Sequence, residues 1–515
     1  MNKIVRNSII VIMLLVAGKV FSFLRDIVIS HYYGVSDATD AYFVANNIPM
    51  IIFTALITSV MAFFIPLYTE KLQNSGQESA NRFVANLWNV GLVVTVLLTV
   101  GGIVFAPWIL HIAAPGFSGE KMEMAVRFAR IMVLSFPLTL TILLFSALQN
   151  ANQRFVLAQT PALISACIVL LGIFFFSHAW GIYALIFSGI SAAVLNALIQ
   201  FAGGKRFFSY TPCFSCVSPE LKKLMVLAVP LFVGLTADEI NIFVNGIICS
   251  LLPAGSISYL NYSQRLLQTI NGTLMSGIII VLYPQFACLA AKHDFESVKF
   301  LSCRCVRVVT LLMAPIAFFA ILCHREIVKL VFFRGQFGET ALQETGVVFA
   351  CYALSILFIA YRELFNRLFF VFQDAKSPAV TGVCSVIVNI VLSICLAKWL
   401  GVKGIALAAS VAAIFSSGIL YWIFYKKHRQ AFPGNPFTWR AICGIFCGLL
   451  SMFMVFCLGR WLFGDISPIG LFLLVFLCCF ASYTVCVMLF KLDDIVWIRN
   501  IILAKISKKN TRKEM

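Results

Sequence analysis

Fourteen apolar runs, each long enough to cross a bilayer, follow one another from residue 8 to residue 490. A hydrocarbon core about 30 Å thick takes about 20 residues of helix, and within it every backbone amide must find a partner inside the chain. The runs lie near 8–29, 41–67, 85–112, 125–148, 157–176, 181–202, 224–252, 257–286, 306–322, 345–369, 378–398, 404–425, 438–460 and 467–490. The expected fold is therefore an all-α polytopic membrane protein of about fourteen transmembrane helices. Only 12% of residues are charged and 61% are hydrophobic, where soluble domains carry about 25% charge. The net charge of +18 then reads as basic loops rather than a nucleic-acid surface.

Pro212, Pro219, Lys205 and Arg206 mark the longest polar interruption before mid-chain. The expected organisation is two six-helix lobes, residues 1–205 and 206–430, then helices thirteen and fourteen over 431–491 and a basic tail over 492–515. With the N-terminus placed in the cytoplasm, the excess of Lys and Arg falls on the segments assigned inside, which puts both termini there. Lys3 and Arg6 before an apolar run resemble a signal peptide, but Lys19 and Arg25 within that run favour a retained helix. The halves read as distant repeats, since Asp26, Gly34, Tyr42 and Pro66 are loosely echoed by Asp238, Gly255, Tyr259 and Pro284.

Charges inside apolar runs are the chemically informative residues, because each costs about 2.5–3.5 kcal/mol near a bilayer centre unless it faces a bundle interior or water. Lys19, Ser22 and Asp26 share one face of the first helix, with Arg25 on its flank. Arg25 lies about 26 Å of helix beyond Ser8, so snorkelling to an interface is an alternative for it alone. Arg265, eight residues into the eighth run, supplies a second deep cation from the other half. Guanidinium forks bind phosphate bidentately, so Lys19, Arg25 and Arg265 read as the lining of a site for an anionic headgroup. Asp40 opens the second helix, where Asn46, Asn47 and Pro49 follow.

Asp238 and Glu239 lie in the seventh run, and an intramembrane carboxylate is a candidate for cation or proton coupling. Asn389 is an oxygen-bearing co-ligand candidate for that role. Arg127 and Arg130 read as interface anchors, and Glu363 with Arg367 as an i,i+4 pair. Seventeen cysteines are scattered through apolar runs as small hydrophobes, and the lone Cys213-x-x-Cys216 lacks the two further ligands that zinc needs. No phosphate-binding loop or nucleophile elbow occurs, and the six histidines are dispersed. The chain reads as a transporter without a cofactor, driven by a Na⁺ or H⁺ gradient or by the membrane potential.

Phe23-Leu24-Arg25-Asp26, then Ala38-Thr39-Asp40-Ala41-Tyr42-Phe43-Val44-Ala45 and Ile48-Pro49, resemble the N-terminal signature of the MurJ (MviN) lipid II flippases. Ala114-Pro115-Gly116-Phe117, Asn152-Gln153-Arg154-Phe155, Ser258-Tyr259 with Tyr262 and Arg265, and Gln373-Asp374 with Lys376-Ser377-Pro378 continue the likeness. The resemblance implies the two-lobed fold of the multidrug/oligosaccharidyl-lipid/polysaccharide exporter superfamily. It also implies alternating access, a bacterial inner-membrane location, and export of the undecaprenyl-pyrophosphate-linked peptidoglycan precursor, alongside wall-synthesis enzymes as partners. It casts Lys19, Arg25, Asp26, Asp40 and Arg265 as cavity residues. Asn46-Asn47 and the run Met50 to Thr54 stand where the family usually has cations, and Gln268 where it has Glu. Competing readings are an exporter of another polyprenyl-linked repeat unit or of cationic drugs, and a non-transporting scaffold for wall synthesis.

Overall fold

The computed structural model describes residues 3–49, 55–215, 218–292, 294–429, 436–464 and 468–490. Its helices in chain order are α1 (Lys3–Tyr33), α2 (Asp37–Pro49), α3 (Ala55–Ala113), α4 (Gly119–Met132), α5 (Phe136–Ala151), α6 (Phe155–Ala158), α7 (Pro161–Trp180), α8 (Tyr183–Gly204) and α9 (Pro219–Ser250). They continue as α10 (Ser256–Ala291), α11 (Phe295–Leu322), α12 (His324–Phe332), α13 (Glu339–Ala353), α14 (Ile356–Val371), α15 (Lys376–Leu400), α16 (Val402–Lys427), α17 (Trp439–Phe463) and α18 (Ile469–Leu489). No strand occurs among the described residues.

Nine helices among the described residues are long and apolar enough to cross a membrane, or ten when α13 and α14, bent by 42° at their junction, are one span. Each of the fourteen apolar runs overlaps helix, and 50–54 of the second and 467 of the last lie outside the described residues. Two runs share the 59-residue α3, which is broken at Gly76 (φ 78°, ψ 177°). That conformation is open only to glycine, so α3 is two limbs meeting at a glycine corner. The chain is a multi-pass membrane protein. The basic tail over 492–515 and Cys216 of the Cys213-x-x-Cys216 pair lie outside the described residues.

The backbone carries an internal repeat more clearly than the side chains do. Among the described residues only Gln153 (φ 59°) and Gln373 (φ 58°) combine a side chain with a left-handed backbone. Each ends a helix in the same way. Gln153 N–H donates to Asn150 O and Gln373 N–H to Phe370 O, while Arg154 N–H donates to Gln149 O and Asp374 N–H to Phe369 O. These paired bonds close a helix C-terminus whose next residue is left-handed. Gly181 and Gly401, and Gly34 and Gly255, are further left-handed pairs, so the turns recur at a spacing of about 220 residues, as in repeat-built transporters.

By packing, the chain divides into two compact units. The first holds 1–265, 332–344 and 390–405, and the second holds 266–331, 345–389 and 406–515. In the first, α3, α5 and α9 share a core built on Phe64, Tyr68, Phe83, Trp88 and Phe145. The polar linker after α8 is held down along α3. Asn86 exchanges bonds with Ser215 N–H and O, Asn89 donates to Cys213 O, and Gln77 donates to Phe207 O.

In the second unit α17 and α18 pack on α11 around Phe319, Met452, Phe456, Phe472 and Cys479. Pro315 has no N–H to offer the carbonyl of Leu311 one turn back, and the Tyr483 hydroxyl donates to that carbonyl at 3.2 Å. Tyr483→Phe should therefore lower stability by about 1 kcal/mol, read as a fall in the thermal transition of the purified protein. Pro315→Ala in that background restores the backbone bond and should recover the loss. At the repeat's second helix end, Asp374 accepts from Ser377 N–H and Oγ and from Lys427 Nζ. Burial opposes ionisation there, but these bonds outweigh it and hold the carboxyl down at about 2. No ion pair joins Glu363 and Arg367 among the described residues. Such a pair gains only about 0.3–0.5 kcal/mol, less than ordering two long side chains can cost.

Candidate substrate-binding site

The deep charges of α1 and α10 converge within the first unit. Arg25 grips Asp26 Oδ1 with Nη2 at 2.9 Å and Nε at 3.2 Å, and Arg265 Nε stands 3.8 Å from Asp26 Oδ2. One carboxylate thus joins the α1 cation to the α10 cation. Asp26 is the least exposed of the three, at 13% against 27% for Arg25 and 38% for Arg265. The Arg25 guanidinium is folded onto its neighbour. Lys19 is exposed on α1, two turns before Asp26 on the same face. Tyr42 of α2 is within electrostatic reach of Arg25, Asp26 and Arg265. The set presents two guanidinium groups on a shared counter-ion, a form that suits a multiply charged phosphate ligand.

Asp40 is placed differently from these cations. It is 1% exposed and its oxygens are occupied: Gly255 N–H donates to Oδ2 at 2.8 Å, and Ser258 N–H and Oγ donate to Oδ1 at 2.9 and 2.6 Å. Lys121 Nζ of α4 adds an ion pair to Oδ2 at 2.9 Å and reaches Asp37 at 2.7 Å. Gly255 and Ser258 belong to the turn that starts α10, so Asp40 supplies from α2 the acceptor that helix starts need. Tyr262, fully buried, extends the joint by donating to Gly34 O at 3.0 Å. Lys121 was not evident in the sequence, where it is an ordinary cation at a helix start.

Glu239 lies half-buried in α9, whereas Asn389 is buried in α15 in the second unit; the Asp238 side chain is outside the described residues. The neighbourhood of α9 shows Ser393 Oγ donating to Asn245 Oδ1 at 3.1 Å, a buried pair the sequence did not single out. Among the described residues no three His, Cys, Asp or Glu side chains gather to hold a metal. Arg130 and Arg127 are exposed on α4. Asn46 and Asn47 are half-buried and Gln268 exposed, while Met50 to Thr54 lie outside the described residues.

Comparison with known proteins gives this arrangement a family. The family model described as lipid II flippase MurJ matches residues 29–480, nearly the whole helical region. The chain belongs to the MurJ family. A curated MurJ relative, the probable lipid II flippase of Rickettsia prowazekii (strain Madrid E), is 25% identical over 456 residues, covering 87% of this chain and 89% of the relative. A solved lipid II flippase MurJ in an inward closed conformation superposes with a TM-score of 0.80 at 21% identity, over 95% of this chain and all of that one. An inward-facing multidrug-resistance MATE family transporter of the MOP superfamily has a TM-score of 0.68 at 10% identity, over 82% of this chain and 98% of that one. The all-helical MurJ and MATE architecture is thus the fold of this chain. Asp40 and Arg265 fall within the matched residues 29–480, and Arg25 and Asp26 lie just before them.

Proposed function

We propose that this chain is a bacterial inner-membrane transporter that moves lipid II, the undecaprenyl-pyrophosphate-linked peptidoglycan precursor, from the inner to the outer leaflet by alternating access. The observation that carries the reading is the Arg25–Asp26–Arg265 cluster in a chain matched to the MurJ model over 29–480. Arg25 and Arg265, with Lys19 two turns away, hold the pyrophosphate, and the hydrocarbon tail stays in the bilayer. Asp26 serves as the stand-in anion. It keeps two cations folded when no substrate is present and yields to the pyrophosphate when one arrives.

Coupling to a Na⁺ or H⁺ gradient through Asp238, Glu239 or Asn389, or to the membrane potential, belongs to the same reading, as do cytoplasmic termini and contact with wall-synthesis enzymes. The test is complementation of a bacterium depleted of its resident lipid II flippase. Rescue is expected, and rescue lost on Arg25→Ala fixes substrate and site together. Failure despite normal membrane abundance overturns lipid II as cargo. It favours another polyprenyl-linked glycan, a substrate that Asn46 and Asn47 in place of the family's cations would fit.

Alternating access also needs contacts that break in each cycle. At the α3–α9 end two acid–base pairs cross between helices from the two repeats: Lys71 meets Glu220, and Lys223 meets Glu70 at 3.0 Å. The hydrogen bond from Lys71, with those of the backbone at the start of α9, holds the Glu220 carboxyl below the usual range. Partly exposed pairs contribute about 0.2–1 kcal/mol each, enough to bias a gate without locking it. Lys71→Glu should slow transport several-fold in the complementation strain, through like-charge repulsion of similar size. Lys71→Glu with Glu220→Lys should restore the rate; an unimproved double variant would show the pair to be incidental.

A further inference from the structure

An apolar groove of about 300 Å³ runs along the outside of the first unit between the second limb of α3 and α4. Leu97, Gly101, Gly102, Phe105, Trp108 and Val133 line it. Gly102 allows the close approach of the two helices, since a Cβ there would stand 3.2 Å from Val133 Cγ1, while a Cβ on Gly101 would meet nothing within 4 Å. Phe105 and Trp108 are exposed at its edge. In a membrane-spanning chain such a surface faces hydrocarbon.

Its rim carries a fixed cation. Pro107 has no N–H for the carbonyl of Ile103 one turn back, and Arg130 of α4 donates Nε–H to that carbonyl at 3.1 Å. The bond uses one edge of the guanidinium. Among the described residues no acceptor meets its two terminal nitrogens. Ala129, next to Arg130 in the chain, lines the groove, and Ile103 follows Gly102 of that lining. A pinned fork beside an apolar slot matches a molecule with a phosphate at one end and a hydrocarbon chain at the other.

We propose that the α3–α4 groove is a binding site for an anionic bilayer phospholipid, which lays one acyl chain against Gly101 and its phosphate on Arg130. The site is separate from the Arg25–Asp26–Arg265 cluster and does not depend on what that cluster transports. Charge complementarity selects the occupant: an arginine at the membrane surface favours an anionic headgroup about fivefold over one without net charge.

Trp108 makes the site measurable. The full-length protein in detergent micelles is titrated with phosphatidylglycerol brominated on its acyl chains, and the quenching that disappears in Trp108→Phe is the groove's own signal. Saturable quenching at low lipid fraction is expected. Gly101→Leu, which fills the groove without touching the Arg130 bond, should abolish it, and Arg130→Gln should move its midpoint about fivefold higher. Equal quenching in Gly101→Leu and the native chain would overturn the site. Equal potency of brominated phosphatidylcholine would overturn the role of Arg130 and the anionic occupant with it.

Discussion

Replacing Arg25 by alanine should abolish complementation and lipid II export while leaving the amount of protein in the membrane unchanged, and Arg265→Ala should do the same. The two halves of that expectation have separate causes. Transport fails because a guanidinium fork on a pyrophosphate makes charge-assisted bonds worth about 1.5–3 kcal/mol each. Losing two of them costs about 3 kcal/mol or more, roughly a hundredfold in occupancy. Abundance survives because Asp26 has two cations. Without Arg25 it keeps Arg265 at 3.8 Å, and without Arg265 it keeps Arg25 at 2.9 Å. Arg25→Ala combined with Arg265→Ala removes both and strands Asp26, so the double variant should lose abundance as well. Arg25→Lys separates charge from geometry. A lysine keeps the charge but not the planar fork, and only partial export is expected. Full export by either single alanine variant, in a flipping assay on membranes with matched protein levels, would remove the cluster from the mechanism.

How much of this could be read beforehand depends on how far each interaction reaches along the chain. The apolar runs and the charges inside them are local facts, and the cost of an intramembrane cation makes Arg25 and Arg265 conspicuous wherever they pack. That Asp26 joins them is not local: Asp26 and Arg265 lie in different repeats, and their meeting depends on how α1 and α10 pack. The same holds for Asp40, whose donors in Gly255 and Ser258 stand more than 200 residues away. Hydropathy marked the runs at 41–67 and 85–112 but had no means of marking the corner at Gly76, which is a single backbone angle. The repeat was faint in side chains, where Asp26 and Asp238 do not correspond in spacing to Gly34 and Gly255. It is plain in the backbone, because a helix end of fixed shape tolerates many sequences, as Gln153 and Gln373 show by standing where glycine is usual. Glu363 and Arg367 mark the opposite failure: correct spacing supplied too little energy to decide the outcome.

Asp40→Ala should be strongly destabilising. Asp40 is buried and accepts from two backbone N–H groups and one hydroxyl as well as from Lys121. Lys121 keeps Asp37 at 2.7 Å when Asp40 is lost, so the penalty comes from the start of α10. Gly255 N–H and Ser258 N–H would be left in a buried place without acceptors, while the Ser258 hydroxyl keeps Thr39 Oγ1 at 3.1 Å. At about 1–3 kcal/mol for each unsatisfied group, the two together cost about 2–6 kcal/mol, a large share of a typical folding free energy. Lys121→Met should cost less, because Asp40 keeps its three other donors. Asp40→Asn should fall between, since an amide retains one acceptor but turns a donor towards a second N–H. The order alanine, asparagine, then Lys121→Met is read as falling loss in the thermal transition of purified protein, alongside export in cells. If Asp40 were instead a cavity charge acting on substrate, Asp40→Ala would keep its thermal transition and lose only export. The two roles are therefore told apart by which of the measurements moves first: a joint that anchors α2 to α10 must show its loss in stability before any question of transport arises.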